Sequence, residues 1–477
     1  MWEAKRSFII SLSLTPVSII MDNSPDGQKR RQRAQNRQER FYRIGTGCMI
    51  RKEIGIIGGG ASGLMAAIAA AQADGAESCN ITVLEKKDRV GKKLLATGNG
   101  KCNLTNLSFS VENPEQYYRS QNPEVLPGLF RQFGALDTLK QFRRMGMLVM
   151  DRNGYVYPLS QQAATVLDTL RFTLEEQGTQ VVTDCTAEKI SVSAKGPEAG
   201  FFVRAGGEDW LFRRLILACG SIAGEKNADY GGYALAKSLG HTILGPLPAL
   251  VQLRCAGNFW KGLAGVRCDA WIQLHISGRK GRELHEEQGE LQLTDYGISG
   301  IPVFQLSRFA AAALEDGRKV RAVIDFLPGF RGKEELWKEL TGEKCAACRH
   351  RSLETVFSGL VNKKIMQTMA KLCGLRMEDR AEPKNLAAVR KVFELLRNFE
   401  VQVTGTNPFA NAQVCAGGVP LTETDTTLES RICPGLYLAG ELLDADGRCG
   451  GYNLQWAWTT GYIAGKNAAL SLKNMDL

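Results

Sequence analysis

The sequence predicts an α/β protein: a Rossmann-like dinucleotide-binding domain, interrupted by a β-rich insertion and then a helical insertion. Two glycine-rich stretches at opposite ends of the chain predict the split domain. The periodicity between them changes from strand-like alternation to charged helical repeats, which predicts the two insertions.

The first stretch is "EIGIIGGGASGLMAAIAAA" (Glu53–Ala71). "EIGII" is a short apolar run rich in β-branched residues, as expected of a buried parallel strand. Gly58, Gly60 and Gly63 follow at G-x-G-x-x-G spacing, with Ala61 and Ser62 between the last two. The three glycines serve, in turn, a tight turn, backbone approach to a pyrophosphate, and close packing of helix on strand. The alanine-rich run Leu64–Gly75 reads as the helix whose free N–H groups and partial positive charge face the phosphates. "NITVLEK" reads as the second strand, ending at Glu85, where a carboxylate can accept bonds from ribose hydroxyls; Lys86 follows.

"RVGKKLLATGNGKCNLTN" (Arg89–Asn106) comes next. Long polar loops of this kind supply backbone donors to ligands. Lys92, Lys93 and Lys101 are placed to screen phosphate charge, and Asn99, Gly100, Cys102 and Asn103 join the candidate binding residues. Cys102 reads as a packed thiol.

The distal stretch is "GLYLAGELLDADGRCGGYNLQWAWTTGYIAG" (Gly435–Gly465). "GLYLAGE" is again a strand running into glycine, with Glu441 after Gly440. Gly451 then opens a helix at Tyr452, Asn453 and Leu454. A site that closes on such a helix has donors for a flavin ring that gathers negative charge on reduction. These two ends together predict non-covalent FAD. Trp456 and Trp458 read as core residues. A further strand, "LFRRLILACGSIAG", brings Gly220 to the same sheet.

Four segments, "GGGASGLMAA", "GKKLLATGNGKCNLTN", "GELQLTDYGISGIPVFQLS" and "LAGELLDADGRCGGYNLQWAWTTG", resemble the HI0933-like flavoprotein family, in family order. The resemblance runs from about Met49 to the C-terminus. One departure is "CAGGV" (Cys415–Val419), with Cys-Ala ahead of Gly-Gly-Val. The resemblance implies FAD bound as in glutathione-reductase-like folds, lined by Gly58, Gly60, Gly63, Glu85, the Asn99–Asn103 loop, Glu441 and Gly451–Leu454. It also implies a substrate class, since members reduce 3-oxo-Δ4 and Δ4,6 bile-acid intermediates.

The organisation expected is an N-terminal extension (1–48), an FAD domain in two parts (49–246 and 404–477), a β-rich insertion (247–330) and a helical insertion (331–403). The extension carries nine of the basic residues against four acids, half of the chain's net +10. The body is only mildly basic, so a small-molecule substrate is expected and a nucleic-acid partner is not. No apolar run is long enough for a membrane span. Thirteen scattered cysteines read as reduced thiols of a cytoplasmic protein. Cys345 and Cys348 lack a second C-x-x-C, so no metal site is expected.

The four histidines carry no local catalytic signature, and no C-x-x-C flanks the flavin. The chemistry then rests with the flavin, and the chain supplies position and electrostatics. The leading expectation is reduction of a conjugated C=C bond with NAD(P)H as co-substrate, bound without a second Rossmann domain. An amine oxidase using O2 and an RNA-associated flavoprotein stay open as alternatives. No catalytic residue is assigned.

Because residues 1–48 have no core pattern, a chain begun at Met49 is expected to keep the flavin and the melting temperature of the full chain. Loss of flavin absorbance or a large drop in melting temperature would reverse that reading.

Overall fold

The structure, a computed structural model, describes residues 42–44, 47–73, 79–193, 199–225, 230–278, 281–347, 350–380, 382 and 384–473. It comprises two units, Met1–Arg51 and Lys52–Leu477. In the first, Tyr42–Ile44 pairs antiparallel with the start of β1 (Gly47–Ile57); most of the extension lies outside the described residues.

In the second unit, β1 continues as a central strand of the main sheet. β2 (Ile81–Leu84) lies parallel on one side of it, with β3 (Gln180–Val182) parallel beyond. On the other side lies β6 (Glu208–Leu217), which pairs in parallel with Leu436–Leu438. Its first half also pairs antiparallel with β5 (Gly200–Ala205), which pairs with β4 (Ala187–Ser193), so an antiparallel meander extends the same sheet. Ile54 and Ile56 are fully buried, as a parallel sheet covered on both faces requires.

Helix α1 (Ala61–Ala71) covers one face, and Ser62–Ala70 are all buried. A helix apolar all round must be covered all round. The outer cover is the C-terminal helix Tyr452–Lys473. A Cβ on Gly461 would stand 2.3 Å from the Ser62 carbonyl oxygen, and one on Gly465 2.0 Å from that of Ala66. The two backbones therefore meet with nothing between them. Trp456 Nε1 donates to the Gly440 carbonyl (3.1 Å) and Trp458 Nε1 to that of Leu104 (2.9 Å), which makes both rings fully buried pins.

Between the two parts of this domain sits a closed barrel. Its strands are β7 (Leu253–Cys255), β8 (Arg267–Gly278), β9 (Gly281–Leu293), β10 (Gly297–Gly300), β11 (Val320–Asp325) and β12 (Phe399–Thr406), in spatial order β7-β10-β9-β8-β11-β12. β12, which closes the barrel on β7, lies across residue 403, where the helical insertion was expected to end. Inward residues such as Ile272, Leu274, Leu291, Ile324 and Val403 form one core with Val356, Phe357, Met366, Val392 and Phe393 of the helical segment. The β-rich and helical insertions are thus one body.

The strand-rich reading of 247–327 missed one element. Residues Ile301–Glu315 form helix α2, with Pro302 in its first turn and Val303, Leu306, Ala310 and Ala313 buried at helical spacing. Proline is pre-organised for a first helical turn, and here it starts the helix directly after the strand Gly297–Gly300. Cys348 and the side chain of Cys345 lie outside the described residues. Among the described residues, no helix is long and apolar enough to cross a membrane.

Filling the contact between the helices should be costly. Gly465→Val is expected to destabilise by about 1–3 kcal/mol, the usual range for overpacking, seen as a lower urea midpoint with an unchanged slope. Gly342→Ala, where nothing lies within 4 Å of the added Cβ, should be neutral or stabilising.

Candidate functional site

At the C-terminal end of β1 the chain turns sharply. Gly58 has φ +110°, and its Cβ would stand 2.4 Å from the Ala218 carbonyl oxygen. A Cβ on Gly63 would stand 1.9 Å from the Gly58 carbonyl oxygen, so α1 seats directly on the turn. Around Gly60 nothing lies within 4 Å; this is the open point of the turn, at the N-cap of α1. Ala61 and Ser62 begin the helix, and no side chain caps its first N–H groups. Those donors face the opening at Gly60.

Glu85 directly follows β2 and is buried, only 8% exposed. Its Oε2 accepts the Gly59 N–H (2.6 Å) and its Oε1 the Lys87 N–H (2.9 Å). The carboxylate is braced against the turn and keeps lone pairs for further donors. Lys86 and Lys87 instead pair with Glu225, at 3.7 and 2.8 Å. Lys93 Nζ reaches Glu441 Oε2 (2.6 Å), which also accepts from Ser221 Oγ (2.7 Å), so the second glycine stretch and the loop after β2 meet here. Gly220 lies beside Ser221 with φ +71° and open space where a Cβ would be.

The loop Thr97–Asn103 turns through left-handed residues Gly98, Asn99, Gly100 and Cys102. Asn99, Gly100 and Lys101 are exposed, whereas Cys102 is fully buried, and burial pushes its thiol up to about 12. It is a packed, protonated thiol. Asn103 is 9% exposed, and its Oδ1 has no hydrogen-bond partner. A Cβ on Gly451 would stand 2.9 Å from that atom. A buried amide end without a partner beside a bare helix start is a cradle for a polar ring edge.

Gly451 has φ +93° and leads into the C-terminal helix at Tyr452. Gly440 donates its N–H to Thr460 Oγ1 of that helix (2.8 Å). Asn453 is committed to its own loop, exchanging bonds with Gly447, and Leu454 is half-buried. Tyr452 stacks on Tyr117 (5.1 Å between centroids), and its carbonyl accepts from Tyr118 (2.8 Å). Burial pushes the Tyr452 hydroxyl up to about 12, so it keeps its proton at neutral pH.

A second feature adjoins this helix start. A narrow cleft is lined by Arg119, Glu287, Arg308, Phe309, Asp446 and Arg448, among others. Arg448 Nη2 bonds Glu287 (2.8 Å), and Arg308 Nη1 lies 3.2 Å from Asp446 Oδ1. That oxygen receives no hydrogen bond, because the guanidinium N–H does not point along the contact. Burial pushes Asp446 up to about 7, with the nearby Asp444 charge adding to it and Arg308 opposing. The cleft was not foreseen: its lining comes from five separate segments, and although Asp446 and Arg448 lie in the distal glycine-rich stretch, nothing local pairs them with Arg119, Glu287 or Arg308.

Comparison with known proteins meets this geometry. A family model described as HI0933-like protein Rossmann domain matches residues 52–467. The chain belongs to this family. A relative from Clostridium scindens, a 3-dehydro-bile acid delta(4,6)-reductase, is 42% identical over 419 residues, 87% of this chain and 98% of the relative. A ribosomal RNA dihydrouridine synthase of Haemophilus influenzae is 25% identical over 411 residues, 85% of this chain and 96% of its own. The solved 3-ketosteroid-delta4-(5alpha)-dehydrogenase from Rhodococcus jostii aligns with a TM-score of 0.45 and 14% identity over 88% of this chain and 97% of that one, too loosely to carry function.

Gly60→Val should abolish nucleotide binding without unfolding the chain, because the added side chain meets no protein atom. Flavin absorbance lost at an unchanged melting temperature is the expected pair of results. Full flavin content in the variant would place the pyrophosphate elsewhere.

Proposed function

We propose that this protein is an FAD-dependent reductase that saturates a C=C bond conjugated to a carbonyl, with NADH or NADPH as the electron source. The observation that carries the reading is one juxtaposition: the bare glycine turn at Gly58–Gly63 and the glycine-led helix at Gly451 are held together by direct backbone contact. Glu85 fits a ribose, the opening at Gly60 fits a pyrophosphate, and Asn103 with the helix start fits a polar ring edge. FAD, when bound, supplies the hydride chemistry.

The chain's own residues orient and stabilise. The helix start at Gly451 favours negative charge beside it, by about 0.3–1 kcal/mol when exposed and more when partly buried. Either Tyr452, which keeps its proton beside that start, or solvent gives the proton to the substrate α-carbon. The barrel and its helices wall the other side of the cleft, where pockets commonly form between domains.

Both relatives' names support the reaction class. A Δ4,6-reductase and a synthase of dihydrouridine each saturate a C=C bond conjugated to a carbonyl. The more similar relative favours a small steroid-like enone, such as a 3-oxo-Δ4 or Δ4,6 bile-acid intermediate; the Haemophilus relative keeps an RNA substrate as the second reading.

The purified protein is expected to be yellow and to release free FAD on denaturation. Under anaerobic stopped flow, NADH or NADPH should bleach the flavin and a 3-oxo-Δ4 steroid should restore it. Tyr452→Phe should slow only the second phase, by roughly 10²–10⁴-fold if its hydroxyl is the acid. Reduced flavin that ignores enones but turns over with O2 and a primary amine would establish an amine oxidase instead, and dihydrouridine formed in ribosomal RNA would favour the RNA reading.

A further inference from the structure

The cleft beside Asp446 holds an imbalance that the reductase reading does not use. Three guanidiniums, Arg119, Arg308 and Arg448, face two carboxylates, Glu287 and Asp446. Glu287 is committed: Arg448 Nη2 lies 2.8 Å from each of its oxygens. Arg119 is half-buried and donates to two backbone carbonyls, those of Glu115 and Tyr118. Burial, and then the charges of Arg308 and Arg448, depress its pKa, the mark of a cation short of counter-charge. Arg308 is the remaining cation, beside an Asp446 oxygen with which it makes no aligned bond.

We propose that this cleft is an anion subsite in which Arg119 and Arg308 hold a carboxylate of the substrate, and that Asp446 takes up a proton as the carboxylate enters. The proposal rests on the reductase reading only in giving that anion to the substrate. Both guanidiniums stand at the Phe309 ring, 5.8 and 6.0 Å from its centroid, and His285 stacks on that ring at 3.8 Å. Leu250 and Phe304 complete an apolar wall for the body of the ligand. The cavity volume is about 30 Å³, room for the head of a carboxylate with its body outside. Guanidinium forks match that planar group.

Proton uptake follows from the surroundings of Asp446, which is 4% exposed. Arg308 faces it from α2 and Arg119 from the strand Tyr118–Arg119; Asp444 faces it from its own loop, with the Arg448–Glu287 pair alongside. Its carboxyl already titrates at about 7. A second anion sharing Arg308 favours the protonated form. Below this pKa binding needs no proton; above it each carboxylate bound brings one in, so affinity falls as pH rises, by up to tenfold per pH unit.

The test is calorimetric titration of the oxidised holoenzyme with cyclohexanecarboxylate, at pH 6 and pH 8.5, in two buffers of different ionisation enthalpy. Cyclohexylmethanol is the neutral control and inorganic phosphate the second anion. The expected result is binding of the carboxylate alone, roughly tenfold or more tighter at pH 6, with about one proton taken up at the higher pH. Arg119→Gln and Arg308→Gln should each weaken it at least tenfold, while Asp446→Asn should bind equally at both pH values with no proton uptake. Equal binding of the alcohol, tighter binding of phosphate, no pH dependence in the unaltered protein, or pH dependence that persists in Asp446→Asn would each overturn the proposal. The titration uses no reductant, so its failure leaves the reductase reading standing. Conversely, a flavin that no enone reoxidises would sink that reading while leaving carboxylate binding measurable.

Discussion

Two helix backbones in direct contact hold the site together. Gly461 and Gly465 of the last helix lie on the carbonyls of Ser62 and Ala66 in α1, at distances that no side chain could share. This contact joins the first and last parts of the Rossmann-like domain. It also sets the distance between the two helix starts, one at Gly60 and the other at Gly451. Lys93, Ser221 and Glu441 form a second tie between the same parts, made of charge and hydrogen bonds instead of close packing. Of the two, the packed contact is the stricter, since a hydrogen bond can lengthen and a steric overlap cannot.

Much of this was legible in the sequence because it depends on local chemistry. The turn at Gly58, the acid at Glu85 and the helix opened by Gly451 are each written within a few neighbouring residues. Their positions in the fold follow from strand, turn and helix in succession. The helix contact itself was less legible. Gly461 and Gly465 have the right spacing, but spacing does not say which helix they meet. The barrel was half legible: its strands alternate visibly, yet its closure by Phe399–Thr406 depends on pairing with Leu253–Cys255 far upstream. The charged cleft was not legible at all. Asp446 lies in the distal glycine-rich stretch, but Arg119, Glu287 and Arg308 come to it from segments far away in the sequence.

Electrostatically, the nucleotide end and the cleft are built on opposite plans. At the glycine turn, Glu85 is braced by two N–H groups and Glu441 by a hydroxyl and an ammonium donor, and the uncapped donors belong to a helix. In the cleft the charges are partly buried, crowded and unevenly paired, and the buried carboxyl of Asp446, pushed up to about 7, lies among them. Buried ion clusters of that sort add little to stability, so their presence beside a candidate active site points to a role in recognition.

The barrel and its helices leave and rejoin the Rossmann-like domain through two neighbouring ribbons. Leu253–Cys255 pairs with Phe399–Thr406, and just outside it Leu244–Ala249 pairs with Val414–Gly418, both antiparallel. The Asn407 N–H donates to Gln252 between them. To the host domain, the whole inserted body is therefore no more than a short connection whose ends are already together. Its size adds little loop-closure entropy, and its core is its own. Such a body meets its host at the cleft, where Glu287 pairs with Arg448 and Arg308 stands beside Asp446.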